Sequence, residues 1–121
     1  MELIKLFDSE LRLMELIWQQ EESTTAKELS LIAAEIIGWN KNTTYTILKK
    51  LIAKGAIERI EPNFVCKALI TREQVQLDET RKLIDKLYDG SIRTFFTSFI
   101  KKEHLSKEEI EELKDIINKE L

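Results

Sequence analysis

The sequence is poor in residues that carry metal and covalent chemistry, with one cysteine, Cys66, and one histidine, His104, in 121 residues. A single cysteine closes no disulfide within the chain, and no CxxC or Cys/His spacing builds a zinc site. There is no Gly-rich phosphate loop, no Ser/His/Asp set and no paired-carboxylate pattern above composition, so neither catalysis nor a cofactor is expected. Apolar runs such as Ile32-Ala33-Ala34 and Phe95-Phe96 fall far short of the roughly 20 residues a membrane span needs. Met1-Glu2-Leu3-Ile4-Lys5 does not open a charged region followed by an apolar core, so no secretory signal is expected. A global basic excess is missing too: 19 Lys+Arg stand against 22 Asp+Glu, a net charge of −3. These absences predict a cytoplasmic, metal-free protein that is not an enzyme and does not insert into membranes; any nucleic-acid footprint must be local.

With 43% hydrophobic and 34% charged residues but only three glycines and one proline, the chain reads as folded and mostly helical. Its length suits one small unit or two half-sized ones. Gly38, Gly55 and Gly90 each follow an apolar helical pattern and read as C-terminal caps. Thr25 with Glu28, Thr71 with Gln74 and Ser106 with Glu109 pair a hydroxyl with an acid or amide three residues on, the signature of a capping box. Between these marks the apolar spacing predicts helices at about 9–20, 26–37 and 41–54, capped by Asp8, Thr25 and Asn40.

After Gly55 the period changes. Ile57-Glu58-Arg59-Ile60, a turn holding Pro62, and Phe64-Val65-Cys66-Lys67-Ala68 read as a β-hairpin. Three helices and then a hairpin is the order of a winged helix-turn-helix. Helices at about 72–88, 91–103 and 107–119 follow, with wide apolar faces. Leu83, Leu87, Ile92, Phe95, Phe96, Phe99, Ile100, Leu113 and Ile117 are the candidate dimer interface, since so short a stretch buries little by itself. The expected fold class is mainly α with a small β-hairpin: a winged-helix DNA-binding domain over 1–70 and a helical dimerisation domain over 71–121.

Projected at about 100° per residue, the third helix sorts Thr44, Ile47, Leu48, Leu51 and Ile52 into one sector. Asn42, Thr43, Thr46, Lys49 and Lys50 fall opposite, with Tyr45 at the boundary. That outer face has no acid and mixes amide, hydroxyl and cationic donors, the groups that meet phosphates and base edges. Across residues 39–70, Lys41, Lys49, Lys50, Lys54, Arg59 and Lys67 stand against Glu58 and Glu61, a local charge of +4. Tyr45 and Thr46 are expected on bases, and Lys49, Lys50 with Arg59 or Lys67 on phosphate. A winged-helix interaction adaptor and a small-molecule-sensing regulator are the rival classes, since fold alone does not fix function.

Other candidates have plainer readings. His104 beside Glu103 and near Glu108 reads as surface rather than as a metal pair, and Cys66 as a small buried or edge residue of a strand. Glu108, Glu109, Glu111 and Glu112 open a helix whose dipole they suit. Trp18 and Trp39 read as packing, Trp39 as a staple ahead of Asn40.

Asp8-Ser9-Glu10-Leu11 with Met14 and Ile17-Trp18, Thr25-Ala26-Lys27-Glu28, Trp39, Thr43, Thr46, Leu51, Lys54-Gly55 and Leu87-Tyr88-Asp89-Gly90-Ser91 resemble the penicillinase-repressor (BlaI, MecI and CopY) family, over essentially the whole chain. Leu105 to Leu113 resembles the family's last helix. The resemblance implies a homodimeric winged-helix repressor on palindromic double-stranded operator DNA. In antibiotic-responsive members a membrane-sensor metalloprotease system triggers cleavage in the dimerisation domain. Copper-responsive members carry a C-terminal cysteine cluster, which a chain with Cys66 alone lacks. Thr43 and Thr46 match the family's recognition-helix threonines and Lys50 a usually basic position. Tyr45 stands where the family has Arg or Lys, and Asn42 where Lys is frequent. The family's Asn-Phe cleavage site aligns with Ser98-Phe99.

Overall fold

The computed structural model describes residues 4–120. Among them are six helices, α1 (Asp8–Gln19), α2 (Ala26–Ile36), α3 (Lys41–Lys54), α4 (Arg72–Leu87), α5 (Ile92–Glu103) and α6 (Lys107–Glu120), and three strands, β1 (Thr24–Thr25), β2 (Ile57–Ile60) and β3 (Val65–Ala68). The fold is a winged helix-turn-helix followed by three further helices. The chain divides into two compact units between Asp78 and Glu79, inside α4.

The capping signals act largely as their spacing predicts. Asn40 accepts the Thr43 N–H at 2.8 Å and Thr25 accepts the Glu28 N–H at 3.1 Å. Thr71 and Gln74 exchange two bonds, at 2.8 and 3.1 Å, and Ser106 and Glu109 do the same at 3.3 and 3.1 Å. Gly55 closes α3 at φ +79°, a left-handed turn that costs a residue with a Cβ. The start of α1 differs from the sequence reading: Phe7, not Asp8, is the cap, and its N–H donates to Glu10 Oε1 at 2.7 Å. Asp8 is already helical, because Glu10 reaches back to satisfy the first free N–H.

The wing is larger than a hairpin. The strand order β1-β3-β2 is antiparallel throughout, with Thr24 opposite Cys66 and Arg59 opposite Cys66 from the other side. The Glu61–Pro62 peptide in the turn is cis.

In the first unit, Leu13, Met14, Leu29, Leu48 and Leu51 are fully buried, and Ile57 and Cys66 nearly so, around one core. Each buried aliphatic side chain contributes about 1.5–3 kcal/mol of transfer free energy. Trp18 packs at the edge of that core and donates its Nε1–H to the Ile70 carbonyl at 2.9 Å, tying α1 to the segment before α4. Trp39 is likewise half-buried against the core. Glu10, 1% exposed, bonds the Lys54 ammonium, which also donates to the Lys5 carbonyl at 2.7 Å. A buried ion pair thus joins the start of α1 to the end of α3.

The second unit is different. Ile84 is buried, whereas α5 and α6 bury no residue, leaving Leu87, Ile92, Phe96, Phe99, Ile116 and Ile117 exposed.

Candidate nucleic-acid interface

The sequence divides α3 into two faces, and the structure keeps that division. Thr44, Ile47, Leu48 and Leu51 are buried, while Asn42, Thr46, Lys49 and Lys50 are exposed and Thr43 and Tyr45 half-buried. The outer face is itself two stripes. On one side Asn42, Thr43, Thr46 and Lys50 line a shallow hollow with Ser9, Trp39 and Asn40. On the other, Lys41, Tyr45 and Lys49 recur every four residues, one above another along the helix.

The wing meets that second stripe. Phe64 lies edge-on to Tyr45, ring centroids 5.8 Å apart and planes at 89°. The Arg59 guanidinium covers Phe64 at 3.8 Å, and the Lys41 ammonium stands 5.6 Å from the Tyr45 ring. Arg59 is also paired with Glu61. The hydrogen bond from Arg59 is the main reason that the Glu61 carboxyl is held below its usual range.

The two wing cations part company. The register sets Glu58 opposite Lys67 and Arg59 opposite Cys66, so alternation puts Lys67 on the other face of the ribbon. Lys54, counted in the local charge, is turned inward to Glu10. Among the described residues, Lys41, Lys49 and Lys50 have no carboxylate within ion-pair distance. The outward positive charge of α3 therefore rests on these three.

Sequence reasoning missed Phe64 and Ser9 as neighbours of this surface and had Lys41 and Glu61 only in the local charge count. Lys41 was legible as the residue four before Tyr45. The Phe64 contact spans two elements and leaves no local trace, although an aromatic beside a polar turn is a signal worth following.

Cys66 and His104 lie where the sequence predicts, one inside and one outside. Cys66 is buried on the central strand, and desolvation pushes its thiol up to about 11. His104 is exposed and ends α5 at φ +52°. Among the described residues no group of three His, Cys, Asp or Glu is placed to hold a metal ion, and no helix is long and apolar enough to cross a membrane.

In the second unit, Phe95, Phe96, Phe99, Ile100 and Leu113 line an apolar groove between α5 and α6 with Leu105 and Ile116. Leu83 and Leu87 mark a separate depression along α4. Ile92 and Ile117 are exposed and line neither. The Ser98–Phe99 bond lies inside α5, Ser98 half-buried and Phe99 exposed, its ring 5.8 Å from Phe95.

Comparison with known proteins gives one family. The sequence model described as "Penicillinase repressor" matches residues 6–119. The chain is 28% identical over 117 residues to the methicillin resistance regulatory protein MecI of Mammaliicoccus sciuri, covering 95% of this chain and 94% of that one. It is 29% identical over 118 residues to the penicillinase repressor of Bacillus licheniformis, covering 93% and 89%. To that of Staphylococcus aureus it is 26% identical over 117 residues, covering 95% and 92%.

Proposed function

This chain belongs to the penicillinase repressor family, and from that premise we propose that it is a homodimer that grips two-fold symmetric operator DNA through α3 and the wing. The family is one of transcriptional repressors and not of enzymes, so the chain is a transcriptional repressor. Its place of work is the cytoplasm, where the DNA is.

The observation that carries the reading is the outer face of α3: Asn42, Thr43, Thr46, Lys49 and Lys50 turned outward without an acid among them, with a wing beside it. A second helix of a helix-turn-helix so furnished fits a major groove, amides and hydroxyls on base edges and ammonium groups on phosphate. Thr46 and Tyr45 read bases; Lys49 and Lys50 fix register on the backbone. Arg59 meets phosphate from the near face of the wing, and Lys67, on the far face, adds to the field.

The second unit supplies the pairing. Six of the nine candidate interface residues, Leu83, Leu87, Ile92, Phe96, Phe99 and Ile117, are among its large exposed apolar side chains, and an open groove of phenylalanines with almost no buried core is half of an interface. Two copies then set two α3 helices on half-sites about one helical turn apart, roughly 34 Å. Cleavage at Ser98–Phe99 by a membrane-sensor metalloprotease would cut α5 through that groove and release the repressor by separating its halves. Because the bond is held within a helix, α5 must open locally before it is cut.

Selection of duplexes from a randomised pool by the full chain tests the reading. It should yield a motif with two-fold symmetry, and Thr46→Ala should relax preference at one base pair of each half-site. A pool that stays random after selection would contradict it.

A further inference from the structure

Phe64 is held in an uncommon way. Its φ is +51°, next to Asn63 at +73°, a region that asparagine visits but that is an outlier for a bulky aromatic. Such a conformation persists only where the surroundings impose it, and it clusters at functional sites. Here the Phe64 carbonyl accepts the Ala26 N–H at 2.9 Å, pinning the wing to the start of α2.

The ring that results is shared between elements. The Arg59 guanidinium stands over it at 3.8 Å, and the Tyr45 ring lies perpendicular to it with centroids 5.8 Å apart. The Lys41 ammonium stands 5.6 Å from the Tyr45 ring. Lys41, Tyr45, Phe64 and Arg59 therefore form one run of contacts from helix to wing, two rings with a cation at each end. A phenol ring in contact with a second ring and an ammonium has fewer orientations to lose on binding, so its contacts are made in fewer geometries.

We propose that Phe64 is a positioning residue for DNA recognition: it locks Tyr45 of α3 and Arg59 of the wing into one unit and so sets the base preference of Tyr45. The proposal rests on the DNA-binding reading above. Phe64 need not touch DNA; it acts through the two residues it holds.

The test uses the full chain, a duplex recovered by selection with the unmodified protein, and a scrambled duplex of equal length. The readout is the ratio of the two affinities by fluorescence anisotropy, with thermal unfolding as a check on each variant. Phe64→Leu, which keeps an apolar body without a ring, should lower the ratio about tenfold, the size of one well-placed aromatic or base contact. Phe64→Tyr, which keeps the edge-to-face contact, should stay within about twofold of the unmodified ratio. Tyr45→Ala should lower the ratio as Phe64→Leu does, and the double variant should fall no further than Tyr45→Ala alone. Equal weakening on both duplexes by Phe64→Leu, or losses that simply add in the double variant, would overturn the proposal. If the unmodified protein bound both duplexes equally, the DNA-recognition reading itself would fall, a result separate from any behaviour of Phe64.

Discussion

Lys50 and Lys54 lie one helical turn apart, four residues, and their surroundings give them opposite uses. Lys50 is exposed on the hollow side of α3, whereas Lys54 turns inward onto Glu10, whose Oε2 is buried without a partner. Lys50→Ala should weaken binding to all duplexes alike and reduce the slope of log affinity against log salt by about one, measured by anisotropy at several salt concentrations. Lys54→Met should leave the Glu10 carboxylate buried and uncompensated and lower stability by about 3–5 kcal/mol in urea unfolding. Restoring neutrality with Glu10→Gln should return most of that loss. Cys66 gives the pH dependence. Burial pushes its folded pKa up to about 11, above the ordinary thiol value of 9.0, so the folded state holds the thiol proton more firmly. The contribution is complete below pH 9 and is lost as pH rises toward 11, by about 2 kcal/mol. Unfolding curves of the unmodified chain and Cys66→Ala should diverge by that amount between pH 8 and 10.5, the unmodified chain losing more.

At the scale of elements, α3 depends on its ends. Asn40 satisfies the Thr43 N–H and so fixes the turn from which Asn42 and Thr43 project. Asn40→Ala should cost about 1 kcal/mol in urea unfolding. Caps were legible in the sequence because a cap and its partner are three residues apart; Asn40, Thr25, Thr71 and Ser106 all act at that range. The α3 faces were legible for the same reason, since a period of 3.6 needs no knowledge of neighbours. What escaped was long-range. The two residues of β1 pair with Cys66 and Val65, some forty positions away, and two residues show no alternation. The inward turn of Lys54 depends on Glu10, and the ring stack of the wing on a backbone turn at Asn63 and Phe64. Phe7 takes the place of Asp8 as the cap because Glu10, three residues on, accepts the Phe7 N–H. Counting charges over residues 39–70 therefore overstated the outward footprint: Lys54 and Arg59 are engaged with carboxylates, and Lys67 faces away from α3.

For the whole molecule the contrast is between a first unit with a closed core and a second with an open apolar groove. Phe96, 45% exposed, and Phe99, 47% exposed, belong to the surface on which the dimer reading depends. Phe96→Asp should give a monomer in sedimentation equilibrium, leave the winged helix folded, and lower operator affinity by orders of magnitude, since each half-site is then gripped singly. The account is tested most directly by anisotropy titration of the full chain against duplex from its own upstream region and a scrambled duplex, at several salt concentrations, with stoichiometry read from the saturated plateau. Tight binding to the upstream duplex, two chains per site and a steep salt dependence is the predicted result. Equal binding to both duplexes, or one chain per site, would contradict it.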